Sequence, residues 1–187
     1  MLSKGSFLAL VCITFSFGSA MASQTSLGAN YGITFYHPNS PDGNTVIIGL
    51  PASAVTFQPG IRLGVLDERM QNELYFDAGV LLLTGDGDTH LFEITANYQR
   101  ALSPEKDTSP YVTAGVGVIS AGAYGTGAVS PVFGGGLGLR AKLNNGHGAI
   151  RVEVRADQVV EGNDRGTRVI ESATLVGFKG GFDIWLK

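Results

Sequence analysis

Three histidines, His37, His90 and His147, come first in a search for chemistry, because imidazole can ligate a metal or act as a base near neutral pH. They lie in different parts of the chain, and an up-and-down order of strands would place His37 in one loop, His90 near a rim and His147 in a turn at the opposite rim. No shared metal is expected of them. The stretch Asp86-Gly87-Asp88-Thr89-His90 holds two carboxylates but lacks the spacing of a twelve-residue calcium loop, so a polar hairpin turn is expected there. A nucleophile needs a base and an orienting group within reach, and no such set stands out. Neither a catalytic residue nor a cofactor is expected.

The densest polar chemistry is ionic. Arg62, Asp77, Glu93, Arg140, Lys142, Arg151, Glu153, Arg155, Asp157, Lys179 and Asp183 all fall on alternate positions of apolar segments. Six are cations and five are anions. A solvated surface needs no such balance, whereas a packed polar interior does, because a buried charge without a partner is costly. Sequential antiparallel pairing would set Arg62 beside Asp77, and Arg140 or Lys142 beside Glu153.

The elements that carry these charges have period two. Apolar residues alternate in Leu27–Phe35, Phe57–Val65, Leu74–Leu82, Phe92–Tyr98, Val112–Val118, Phe133–Leu143, Ile150–Ala156 and from about Ala173 to the end. A helix would repeat every 3.6 residues. Each run is roughly 9–12 residues, the length a tilted strand needs to cross a bilayer. Pro59 cannot donate to a ladder and marks a bulge or a strand end. The connections 37–54, 119–131 and 158–171 are long, while 67–72 and 144–148 are tight, so long loops gather at one rim and short turns at the other. Glycines crowd the fifth and sixth runs, at Gly115, Gly117, Gly134, Gly135, Gly136 and Gly138, as close approach or sharp curvature in a narrow barrel would require. Tyr31, Phe35, Tyr36, Tyr98, Tyr111 and Trp185 lie near strand ends, where aromatic girdles form.

Residues 1–22 read as a signal peptide: Lys4, an apolar run from Phe7 to Phe17, then Ala20-Met21-Ala22 before Ser23. Cys12 lies within the apolar run and follows Val11, where a lipoprotein signal would place a small residue. Residues 23–187 then form one domain without cysteine, hence without disulfides. Removing Lys4 from the 13 basic residues leaves 12 against 16 acidic ones, a net charge of −4. With no basic tract, nucleic acid is not an expected partner. No later apolar run is long enough for a spanning helix, so a membrane crossing must be made by a closed barrel. The fold class expected is all-β, an eight-stranded antiparallel up-and-down transmembrane barrel. Its apolar face would meet lipid and its ionic face would fill the lumen, the reverse of a soluble lipocalin.

Three stretches, "PYVTAGVGV" (110–118), "FGGGLGLRAKL" (133–143) and "IRVEVR" (150–155), together with the last strand, resemble the small eight-stranded outer-membrane barrels of Gram-negative bacteria, the OmpA transmembrane-domain, OmpX and opacity-protein type. Lys179, Gly181, Ile184 and Leu186 are similar to the C-terminal signal read by barrel assembly machinery, although Lys187 stands where such barrels commonly end in an aromatic. The resemblance implies a non-enzymatic outer-membrane protein, monomeric, surrounded by outer-membrane lipid and lipopolysaccharide. No peptidoglycan-binding segment is expected after the barrel. The long loops would carry any surface ligand or host contact, with "EGNDRGTR" (161–168) as a charged contact surface. The alternatives are a lipid A-modifying enzyme, for which the His-x-Ser spacing of the deacylases is absent, a narrow pore, and a soluble lipocalin-like binder.

Overall fold

The computed structural model describes residues 22–38, 45–47, 60–83, 89–123, 125–144 and 146–186. The expected signal peptide, Pro59 with the start of the second run, most of the 37–54 connection, Asp86–Asp88 and Lys187 lie outside them.

Eleven strands are present: β1 (Ala22–Pro38), β2 (Thr45–Ile47), β3 (Gly60–Asp67), β4 (Asn72–Leu83), β5 (Thr89–Ala101), β6 (Thr108–Ala123), β7 (Thr126–Lys142), β8 (Gly148–Val159), β9 (Gly162–Asp164), β10 (Thr167–Ile170) and β11 (Ala173–Leu186). Eight of them, β1, β3 to β8 and β11, pair antiparallel with their sequence neighbours, and β11 returns to β1, from Thr25↔Leu186 to Pro38↔Ala173. The ring is closed, so the wall of the barrel has no free edge. β2 adds three residues to the upper part of β1, and β9–β10 is a separate hairpin.

Alternation decides which way each side chain points. On β8, Arg151, Glu153, Arg155 and Asp157 are buried while Ile150, Val152, Val154 and Ala156 are exposed. The same split holds on β11, with Lys179 and Asp183 inside and Phe178, Phe182 and Ile184 outside. A continuous apolar belt therefore faces outward, and Leu137, Val116 and Ile61 are each more than 60% exposed. An apolar patch this extensive is a liability in water and a necessity in hydrocarbon.

Two parts of the wall depart from the sequence reading. The connection 119–131 is not a loop. β6 and β7 continue through it as a hairpin, paired from Ile119↔Ser130 to Ala123↔Thr126, with Gly125 in the left-handed region at the turn. The polar–apolar contrast vanishes there because the inward residues Ile119, Ala121 and Ala128 are themselves apolar or small. The connection 158–171 also folds: β9 and β10 form a hairpin whose turn residues, Arg165 and Gly166, both have positive φ, the geometry of a two-residue type I′ turn. His37, assigned to a loop, lies within β1 opposite Thr174.

Candidate functional site: the barrel lumen

The lumen is filled in three layers. The middle one is ionic. Arg62 reaches Glu73 at 2.8 Å and Asp183 at 3.8 Å, donates to the Gln99 amide oxygen at 3.1 Å, and stacks over the Tyr75 ring with 3.3 Å to the centroid. Arg151 grips the Asp183 carboxylate through two nitrogens and donates to Asn30 Oδ1 at 2.9 Å. Asn30 in turn donates to Asp77 at 3.0 Å. Arg155 holds both Asp157 oxygens at 2.9 Å and lies 4.0 Å from Glu153. Glu153 accepts from the Tyr111 hydroxyl at 3.1 Å and from Thr113 at 3.4 Å. Lys179 stands opposite Glu153 in the β8–β11 register, and Glu93 is fully buried on β5.

Among the described residues the buried charges are five cations and six anions. The near-balance read from the sequence is present, but its membership differs at two places. Glu73 belongs to it. Its carboxylate accepts from Ser26 at 2.7 Å, pairs with Arg62, and lies 3.9 Å from Arg140. It has the inward parity of Tyr75 and Asp77, but the apolar alternation begins only at Leu74, whereas β4 begins at Asn72. Lys142 is the correction in the other direction. It shares the inward parity of Arg140 but sits at the short-turn rim, half-buried, donating to the Pro104 carbonyl at 2.6 Å. It ties down an inter-strand turn and neutralises no lumen carboxylate.

The partners also differ from simple register. Arg62 does stand opposite Asp77, yet its guanidinium reaches Glu73. Arg140 stands opposite Arg151, and Glu153 opposite Gly138. Arg140 therefore turns away from Glu153, towards Glu73 and the Met70 carbonyl. In a narrow barrel a long arginine can cross to a strand that is no neighbour, and its planar fork selects the carboxylate it can meet edge-on.

Glycines make room for these groups. A Cβ on Gly138 would sit 2.3 Å from the Tyr111 ring, and one on Gly134 2.2 Å from the Asp157 carboxylate. Tyr111 is thus a lumen residue rather than a girdle residue, as is Trp185, which is 3% exposed. Tyr31, Phe35 and Tyr98 do face outward.

Apolar layers close the lumen on both sides. At the short-turn rim Trp185 packs with Leu66, Ala149 and Met70, and the Arg140 guanidinium lies 5.7 Å from the indole centroid. At the far rim Ile119, Ala128, Val132, Val159, Ala173 and Leu175 form a cluster completed by Ile170 of the β9–β10 hairpin. The hairpin is fastened by the Val160 amide donating to the Pro131 carbonyl at 3.0 Å, by Ser130 donating to the Val160 carbonyl, and by the Gly127 amide donating to Asp164 at 3.3 Å. The segment expected as a charged contact surface thus roofs the barrel with its apolar side and keeps Glu161, Arg165 and Arg168 exposed.

Other sequence-singled residues are scattered. His90 is exposed and lies against Gly122, while His147 is in a short turn, where its carbonyl accepts from the Trp185 amide at 2.7 Å. No group of three metal-ligating side chains converges among the described residues. In the C-terminal stretch Lys179 points inward, Ile184 and Leu186 point outward, and Gly181 lies beside Asn30.

No family model matches the chain, and no curated protein matches it. Solved structures do. Neisserial surface protein A is similar over 86% of this chain and 96% of its own, with a TM-score of 0.61 and 13% identity. The outer membrane protein AlkL, determined in DMPC lipid bilayers, is similar over 89% of this chain and 92% of its own, with a TM-score of 0.50 and 14% identity. The chain has the fold of the small eight-stranded outer-membrane β-barrels.

Proposed function

We propose that this chain is a non-enzymatic outer-membrane barrel of a Gram-negative cell with a structural or surface-interaction role. The observation that carries the reading is its inverted polarity: branched and aromatic side chains outside, paired ions inside. That order is the opposite of a lipocalin's, where the cavity is apolar and the surface wet, and it suits a hydrocarbon surround. The names of the two similar structures, a surface protein and an outer membrane protein, support the same setting.

A conducting pore is disfavoured by the three stacked layers of the lumen. The ionic layer ties inward side chains of several strands to one another across the lumen. The face left for contact is the far rim, where the β9–β10 hairpin presents Glu161, Asn163, Arg165 and Arg168 on a fixed base. A rigid scaffold displaying such a loop suits recognition. The partners expected in the membrane are its lipid and lipopolysaccharide, and barrel assembly machinery would insert the chain.

The test is fractionation with heat-dependent gel mobility. The full chain is expected in the outer membrane, migrating as a compact band that shifts on boiling. Recovery as a soluble protein without detergent overturns the reading. An altered lipid A mass profile in a deletion strain would favour the enzyme instead, and steady single-channel conductance in a planar bilayer would favour the pore.

A further inference from the structure

The outward face is not the same all the way round. Near the short-turn rim six of the eight wall strands turn an apolar residue outward: Leu27, Val65, Pro110, Leu139, Ile150 and Ile184. β4 and β5 differ. Their outward residues at this rim are Asn72, Tyr98 and Arg100. Arg100 is the one arginine or lysine that the described part of the eight strands turns outward. Arg62, Arg140, Arg151, Arg155 and Lys179 point into the lumen, and Lys142 shares their parity.

No acid of the wall answers this charge. Arg100 is exposed, and among the described residues its guanidinium makes no hydrogen bond or ion pair. Asp67, at the end of β3, is the one acid of outward parity on these strands. Its own turn engages both carboxylate oxygens: the Gln71 amide donates at 2.8 Å and the Asn72 side chain at 2.6 Å. Asn72 accepts in turn from the Tyr98 hydroxyl at 2.5 Å. Asn72 stands directly opposite Arg100 in the β4–β5 register, which sets their Cβ atoms about 5 Å apart. The relay Asp67–Asn72–Tyr98 thus fixes a polar ledge, and the free guanidinium sits beside it.

We infer that Arg100, with Asn72 at its side, holds the phosphate of an anionic phospholipid in the leaflet at the short-turn rim. The inference rests on the membrane reading above. A cation on the lipid face is tolerated best at the interface, and the group that the interface offers it is a phosphate, which a guanidinium meets with two parallel hydrogen bonds. A zwitterionic headgroup brings its own ammonium to compete for that phosphate, so an anionic one is favoured. The lipid shell of the barrel is therefore uneven, with its anionic member at β4 and β5.

The experiment releases the full barrel from micelles of a zwitterionic detergent doped with equal phosphatidylglycerol and phosphatidylcholine, and counts the retained lipids by native mass spectrometry. Wild type is expected to prefer phosphatidylglycerol by about fivefold, the effect of one arginine near an anionic surface. Arg100→Gln should abolish the preference. Arg100→Lys, which keeps the charge, and Arg69→Gln, which removes an exposed arginine of the neighbouring turn, should retain it. Equal retention of both lipids by wild type, or by folded Arg100→Lys, overturns the inference, and so does a preference that survives Arg100→Gln. Displacement of the retained lipid by added inorganic phosphate also overturns it, because the site then belongs to a soluble anion. Recovery of wild type as a soluble protein without detergent overturns the membrane reading itself and is distinguishable from each of these.

Discussion

The waist of the lumen and its two ends solve the same problem with opposite chemistry. At the waist, inward side chains are arginines and carboxylates held by one another. At the ends they are Trp185 with Leu66 on one side and Ile170 with Val132 on the other. Both are buried, but they differ in what happens when a single partner is removed. An apolar layer that loses a group is left with a smaller contact area and a cavity, while an ionic layer that loses a group is left with a buried charge. The waist should therefore be brittle and the ends forgiving.

Arg62→Leu is the hardest blow to that comparison. It leaves Glu73 without its closest cation and removes one of the two arginines beside Asp183, and breaking a buried pair in this way costs about 3–5 kcal/mol. Urea-induced unfolding of the refolded barrel in micelles should show the loss, and the double change Arg62→Leu with Glu73→Leu should restore part of it. If the double variant is the weaker of the two, the waist is not brittle in the way described. Leu137→Arg, by contrast, leaves the lumen intact and charges the outer belt at an exposed position. A cost of about 2–4 kcal/mol is expected near the bilayer midplane, and it should fall away when the same protein is held in a zwitterionic detergent.

Next in size is Ile170→Ala, which thins the far roof for about 2 kcal/mol. Its sharper readout is proteolysis: the β9–β10 hairpin should become cleavable near Arg165 and Arg168 while the barrel band persists on a gel. Trp185→Phe keeps an aromatic in the inner layer, and the indole nitrogen has no hydrogen-bond partner to lose, so less than about 1.5 kcal/mol is expected. Smallest is Lys142→Ala. It gives up one bond to the Pro104 carbonyl, worth about 1 kcal/mol or less at this half-buried rim. A loss as large as that of Arg62→Leu would return Lys142 to the lumen network.

The same contrast explains what could be read from the sequence. Where the two sides of a strand meet different surroundings, alternation is plain. Arg151 to Asp157 on β8 gave parity, direction and charge balance without a structure. Where both sides are apolar or small, the signal disappears. Ile119, Ala128 and Val132 are core residues of the far layer and Ala121 packs against them, yet their neighbours Ser120, Gly122 and Val129 do not contrast with them enough to mark a strand. The paired ends of β6 and β7 therefore read as a loop. Glu73 precedes the first apolar residue of its run, so alternation alone does not include it. Ion-pair partners were not legible at all, since they depend on how a guanidinium crosses the lumen and not on which strands are adjacent.

The closure of β1 onto β11 bears on how the molecule is made. Thr25 finds Leu186 and Pro38 finds Ala173, so the ring's final seam joins segments from opposite ends of the sequence. Contacts of such high sequence separation carry the largest chain-closure entropy and form slowly. Hairpins such as β6–β7 can form early, but the cylinder cannot shut until the residues of β11 have been synthesised and delivered. Until then the arginines have no complete set of partners, so the ionic waist is finished only when the seam shuts.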